Sequence, residues 1–240
     1  MSGHSHFKTI KAQKEVADAK RGKIFAKVAK LITIAAKEGP DPVTNPKLRV
    51  AIEQAKLANM PKDNVERAIQ RGTGKLAGDN LEEVSFEGYG PGGMAIIIEG
   101  ITDNKNRTLN EVKQILTQNN AKLAGEGAVK WMFERKGVIT IDNSEANINK
   151  EQLEMDAIEG GADDISWNEN VLDIYTSPDS LEAVKKNLEA KGIKIDGSGL
   201  GWVPKDQITI DDKEKREWQR IVDAADENDS IQEIYSNTKD

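Results

Sequence analysis

The chain has 240 residues, 37% of them hydrophobic and 31% charged, with 34 Lys and Arg against 41 Asp and Glu for a net charge of −7. That length exceeds one small core and suits two or three domains, and the composition is that of a folded chain rather than a disordered one. The lack of cysteine excludes disulfides, thiol nucleophiles and thiolate-bound zinc, and aliphatic runs such as Met94 to Ile98 fall far short of the ~20 residues of a membrane span.

The charge is unevenly spread. Residues 1–76 hold 16 Lys and Arg against 7 Asp and Glu, a balance of +9, whereas residues 77–240 hold 18 against 34, a balance of −16. Such asymmetry points to a polyanion partner for the front third. Lys11 to Glu38 contains helix formers and no proline, with Gly22 a candidate joint. At 100° per residue Ile24, Phe25, Val28, Leu31, Ile32 and Ala35 share one face, and Lys20, Lys23, Lys27, Lys30 and Lys37 a neighbouring one. Gly39-Pro40-Asp41-Pro42 stops this helix. Asn45 reads as an N-cap before Pro46, and Pro61 opens a further short helix with Val65, Ala68 and Ile69 inward that Gly72 ends. The expectation is a basic helical bundle over residues 1–76.

Residues 72–80 read as a linker, after which the pattern changes to strands. Leu81 to Glu87 and Met94 to Ile101 are joined by a glycine-rich loop. Arg107 to Asn119 is an amphipathic helix, and Ala128 to Glu134 reads as a third strand. From Gly137 the order is strand, helix Lys150 to Glu159, strand, a tight Glu169-Asn170 turn, strand, helix Pro178 to Lys191 and strand. That is βαββαβ, the ferredoxin-like order. A charged helix over Asp212 to Asp226 precedes Ile231 to Tyr235, a short strand that needs a sheet to join. The sheet begun at Leu81 is available, which leaves 137–204 as a candidate insertion.

Gly88, Gly90 and Gly93 formally satisfy G-x-G-x-x-G, but a strand follows where a dinucleotide site needs a helix, and Pro91 removes a donor. The stretch reads as a hairpin loop, with Tyr89 at its tip to stack on a base or to cover the sheet edge. His4 and His6 lack a third ligand, so no metal site is expected. Lys105 and Arg107 stand at a helix start, where phosphate binding and plain helix capping by Asn104 compete. No nucleophile–base pairing, Walker motif or HExxH is present, and the expectation is a binding protein rather than an enzyme. On charge, the candidate phosphate contacts are Lys8, Lys11, Lys20, Arg21, Lys23, Lys27, Lys30, Arg67, Arg71, Lys105 and Arg107. Tyr89, Gly90, Pro91 and Gly92 form a candidate loop contact. This reading requires the lysines to form a continuous, unpaired positive face. Neutralising about five phosphates would give a log–log salt slope near −4 to −5 on duplex DNA. No helix offers an evident set of exposed Arg, Asn or Gln at groove-reading spacing.

GHSHFKTIK, DAKRGKIFAK, DPVTNPKLR, NMPKDNVERAIQRG, FEGYGPGG, TDNKNRT and WMFERKG, in this order over most of the chain, resemble the YebC-like family, some of whose members are named translational activators of cytochrome c oxidase subunit I. The chain departs from that pattern at His6-Phe7, where the family usually has Lys-Trp, and at Gly127-Ala128-Val129, where it usually has Gly-Ser-Val. The resemblance implies a multidomain α+β protein: a helical domain (1–76), a discontinuous α+β domain (77–136 plus 205–240), and a ferredoxin-like domain (137–204) inserted into it. It also implies a non-enzymatic regulator of gene expression, to which the residues themselves add the expectation of a cytoplasmic, cofactor-free protein. DNA-binding transcriptional control is one role. Ribosome-associated relief of stalling at proline-rich stretches is the other. A monomer with nucleic acid or the ribosome as partner, and no targeting segment ahead of Gly3, completes the expectation.

Overall fold

A computed structural model describes residues 18–144 and 148–239. The first described helix, α1 (Asp18–Ala36), runs without interruption through Gly22, so the expected joint is absent there. Its apolar stripe buries Val28, Ile32, Ala35 and Ala36 against α2 (Pro46–Leu57) and α3 (Lys62–Gly72). The Asn45 side chain accepts the Leu48 N–H at 3.0 Å and donates to the carbonyls of Ala35 and Gly39, locking the α1–α2 corner. Gly72 serves packing rather than a left-handed cap. A Cβ there would stand 2.3 Å from the Thr33 carbonyl oxygen, so α3 approaches α1 only because Gly72 has none.

Two four-stranded antiparallel sheets follow. The first has the order β3-β1-β2-β8, from β1 (Glu82–Tyr89), β2 (Ala95–Thr102), β3 (Lys122–Ala124) and β8 (Ile231–Ser236). Thus the last strand of the chain pairs with β2, with a register shift between Glu99 and Gly100. Helices α4 (Lys105–Gln118) and α7 (Asp212–Glu227) cover one face, burying Phe86, Ile96, Ile98, Leu116, Trp218 and Ile221. The opposite face buries Ala95, Ile97 and Tyr235 under Val129 and Phe133. β2 is therefore enclosed on both sides, which explains its unbroken apolar run.

The second sheet, order β5-β6-β4-β7, lies between β3 and β8 in the chain. It uses β4 (Phe133–Asp142), β5 (Asp164–Asn168), β6 (Val171–Thr176) and β7 (Gly197–Pro204), with α5 (Lys150–Glu159) and α6 (Leu181–Ala190) packed over Ile139, Ile141, Leu172 and Ile174. The βαββαβ order is present. Glu169, at φ +52°, makes the tight turn between β5 and β6. Ala128 to Glu134 is not a separate strand: a loop and a 3-10 turn (Lys130–Met132) lead into the ten-residue β4. The buried Glu87 carboxylate accounts for this. It accepts the N–H groups of Gly127 (2.6 Å), Val129 (2.7 Å) and Lys130 (2.8 Å), satisfying donors that a strand would have paired with a neighbour.

Candidate nucleic-acid interface

The lysine stripe of α1 does not form an open positive face; it is turned toward the body. Lys23 pairs with Glu227 at the end of α7. Lys27, only 4% exposed, points its ammonium at the Ala225 carbonyl at 3.5 Å, and Lys30 donates to the Asp229 carbonyl at 2.9 Å. Lys37 donates to the Leu81 carbonyl at 2.7 Å. The attraction has a plain cause. The C-terminal end of α7 carries the negative end of its dipole, and Asp226, Glu227, Asp229 and Glu233 gather around it. Burial pushes the Lys27 pKa below its ordinary 10.5, and these four carboxylates resist that shift. Lys27 is thus removed from the candidate contacts by burial, while Lys23 is occupied by the Glu227 carboxylate and Lys30 by the backbone carbonyl of Asp229.

At the start of α4 the capping account prevails. Asn104 accepts the Arg107 N–H at 3.0 Å, and the Arg107 guanidinium lies between Asp103 and Glu111. The Arg107 hydrogen bond holds the Asp103 carboxyl below its ordinary range, to which the nearby Lys30 charge adds. Arg107 is thereby engaged, while Lys105 is exposed. The glycine-rich loop is closed over its first half only, since Gly92 and Gly93 are exposed. Gly90 N–H bonds the Met94 carbonyl at 2.8 Å, Gly90 and Pro91 are buried, and Gly92, at φ +69°, lies against Glu214 and Ile210. Tyr89 ends β1 rather than standing at a loop tip. It is half-buried and donates its hydroxyl to the Ala128 carbonyl at 3.2 Å, so it covers the sheet edge and Gly90 and Pro91 are withdrawn from contact.

What remains open is the outer face of α3. Lys62, Arg67 and Arg71 are exposed, Lys75 follows, and Lys56 ends α2 beside them, each without a hydrogen-bonding or ionic partner among the described residues. Arg67, Gln70 and Arg71 stand at i, i+3 and i+4 on the solvent side, because Val65, Ala68 and Ile69 take the inner side. The groove-reading spacing that the sequence did not make evident is therefore present once the buried face is known. Asp63 and Glu66 share the first turns, so the positive charge is concentrated toward the C-terminal half. Arg21 is exposed; Lys8 and Lys11 lie outside the described residues, as do His4, His6 and the side chain of Lys20. Among the described residues no cluster of three or more metal-ligating side chains occurs, and no helix is long and apolar enough to cross a membrane.

The arrangement defines a class: a helical unit, three helices among the described residues, that presents an open cationic face and is clamped by charge onto a two-sheet α+β body. Comparison with known proteins makes the class specific. The profile of the TACO1/YebC N-terminal domain matches residues 5–75, and that of the TACO1/YebC second and third domain matches residues 81–238. The chain belongs to the TACO1/YebC family. It is 45% identical over 239 residues to a protein of Halothermothrix orenii named "Probable transcriptional regulatory protein", covering 99% of this chain and 94% of that one. A Desulforapulum autotrophicum protein of similar name is 46% identical over 238 residues, covering 99% and 96%. The crystal structure of a conserved hypothetical protein from Aquifex aeolicus superposes with a TM-score of 0.88 at 42% identity, covering 98% of this chain and 97% of that one.

Proposed function

We propose that this protein is a nucleic-acid-binding regulator of gene expression that controls transcription by laying α3 on duplex DNA. The carrying observation is the open face of Arg67, Gln70 and Arg71, flanked by Lys56, Lys62 and Lys75, on a chain whose residues 77–240 carry a balance of −16. Arginine at helical spacing supplies phosphate contacts and bidentate donors to guanine, and glutamine pairs with adenine. The names of the relatives support a regulatory role. The proposal is of a binding protein rather than an enzyme, working without a cofactor in the cytoplasm. One observation favours a ribosome-associated translation factor as the second reading. With the α1 lysines turned inward, the open positive patch is small, which suits a structured partner touched at one end more than a long duplex.

The test is a salt titration of duplex binding beside ribosome co-sedimentation, with Arg67→Ala and Arg71→Ala. Each loss should weaken duplex binding and lower the salt slope by about 1. Duplex affinity unchanged in the double variant would overturn the α3 assignment. Co-sedimentation that depends on the two arginines, with no duplex binding above the non-specific level, would select the second reading.

A further inference from the structure

Above the first sheet, where the Glu87-bound loop crosses, Trp131 is 68% exposed, the one aromatic among the exposed large apolar side chains of the described residues. An indole is normally covered or placed at an interface. Here its polar handle is already used, since Nε1–H donates to the Ala128 carbonyl at 3.0 Å. The same carbonyl accepts the Tyr89 hydroxyl, so two aromatic rings meet around one atom, Trp131 outward and Tyr89 half-buried. Cations ring the pair. The exposed Lys205 donates to the Trp131 carbonyl at 2.9 Å, and the exposed Lys122 stands 5.6 Å over the Tyr89 ring. Lys130 precedes Trp131 and lies 4.8 Å over Trp202. Glu126 is the exposed acid of the same loop; the Glu87 carboxylate is spent beneath it on three backbone donors. Beside Tyr89 and Lys122 an open depression of about 360 Å³ is bounded by Gly90, Gly93, Asn120 and Ala121.

We infer that Trp131 is a stacking platform for an unpaired base of single-stranded RNA, with Lys122, Lys130 and Lys205 taking the adjoining phosphates. An indole whose N–H is turned inward can recognise only through its face, which makes the contact tolerant of base identity. A duplex hides base faces, whereas RNA loops and ends splay them out. The three lysines select a polyanion over an uncharged partner. The inference deepens the nucleic-acid-binding reading above and rests on it, although it uses a surface other than α3.

The test uses the full chain and decaadenylate RNA, followed by tryptophan emission and by affinity. Binding should quench the emission. Trp131→Ala should weaken affinity about 5- to 100-fold, the effect of removing one base–aromatic stack, and abolish the quenching. Trp131→Phe should keep affinity within a few-fold, and duplex DNA binding should be unchanged in both variants. Equal quenching by inorganic polyphosphate, or unaltered RNA affinity in Trp131→Ala with unchanged folding by circular dichroism, would overturn the inference. So would capture of an oligoproline peptide in place of RNA, since proline rings also dock on exposed indoles. Duplex binding without decaadenylate binding would sink this inference and leave the α3 reading standing. Loss of both ligands in the wild-type chain would remove both.

Discussion

Glu87 shows how one side chain can replace a run of secondary structure. Its carboxylate is buried, which by itself raises its pKa. The N–H groups of Val129, Gly127 and Lys130, with the Lys130 charge, more than offset that and bring it below the ordinary 4.5. A depressed carboxylate contributes stability that is complete above about pH 4.5 and is lost as pH falls through the folded-state value. Urea unfolding should therefore show stability falling below pH 4.5, and Glu87→Gln should flatten that part of the profile. At pH 7 the same variant keeps the volume but gives up charge-assisted bonds, and we expect a loss of about 2 kcal/mol or more. A midpoint unchanged from wild type at pH 7 would show that the loop does not depend on the carboxylate. Because this loop places Trp131, Glu87→Gln should also weaken RNA quenching more than duplex binding. Nothing in FEGYGPGG signals that its Glu87 carboxylate is internal: in strand alternation it looks like any glutamate, and its partners lie 40 or more residues away.

At the scale of elements, local signals were legible and long-range partners were not. Asn45 before Pro46, the βαββαβ order and the Glu169-Asn170 turn could be read because periodicity and capping act within a few residues. The lysines of α1 could be placed on one face for the same reason, but whether that face meets solvent depends on α7, nearly 200 residues later. Trp131 does not stand out as a site in the sequence, because the pattern of 128–134 is that of a strand, where a tryptophan is ordinary. Gly72 stands at the end of α3, where the sequence places a helix stop, but the constraint on it is contact with Thr33 rather than backbone conformation. Gly72→Ala should consequently destabilise the helical unit by about 1–3 kcal/mol through overpacking, seen as a lower melting temperature. A neutral or stabilising effect would mean that α3 slides freely on α1. Lys27 offers a second check. Lys27→Met keeps the buried stem and removes a charge that burial disfavours, so its cost should be small. Lys27→Glu places a fifth carboxylate beside Asp226, Glu227, Asp229 and Glu233 and should cost about 3 kcal/mol or more. Equal effects of the two would show that charge at this position is immaterial. For Lys27 the slope has the same sign as for Glu87 but lies in the alkaline range and has another cause: burial disfavours its charged form, the folded state releases the proton first, so wild-type stability should rise as pH climbs toward 10.5, and Lys27→Met should lose that rise.

At the scale of the whole molecule, the opposite charges of the two parts attract each other before they attract anything else. Lys23, Lys27 and Lys30 hold α1 to the end of α7, while Glu53–Lys185 and Arg49–Glu182 tie α2 to α6, so the helical unit touches both sheets' covering helices. The joining segment, Lys75 to Asn80, is exposed and lacks regular structure. Reversing the three α1 lysines together, Lys23→Glu, Lys27→Glu and Lys30→Glu, should then act on the clamp rather than on a nucleic-acid contact. Protease cleavage within residues 73–80 should accelerate, and the radius of gyration in solution should grow. Duplex binding that depends on Arg67 and Arg71 should survive, weakened only by the long-range effect of the added negative charge, which salt near 0.1 M screens beyond about 10 Å. The opposite pattern, with duplex binding abolished while cleavage and radius stay at wild-type values, would mean that the lysines leave the body to grip phosphate. The closed arrangement of α1 on α7 would then be the form without nucleic acid, and α3 only an accessory to it.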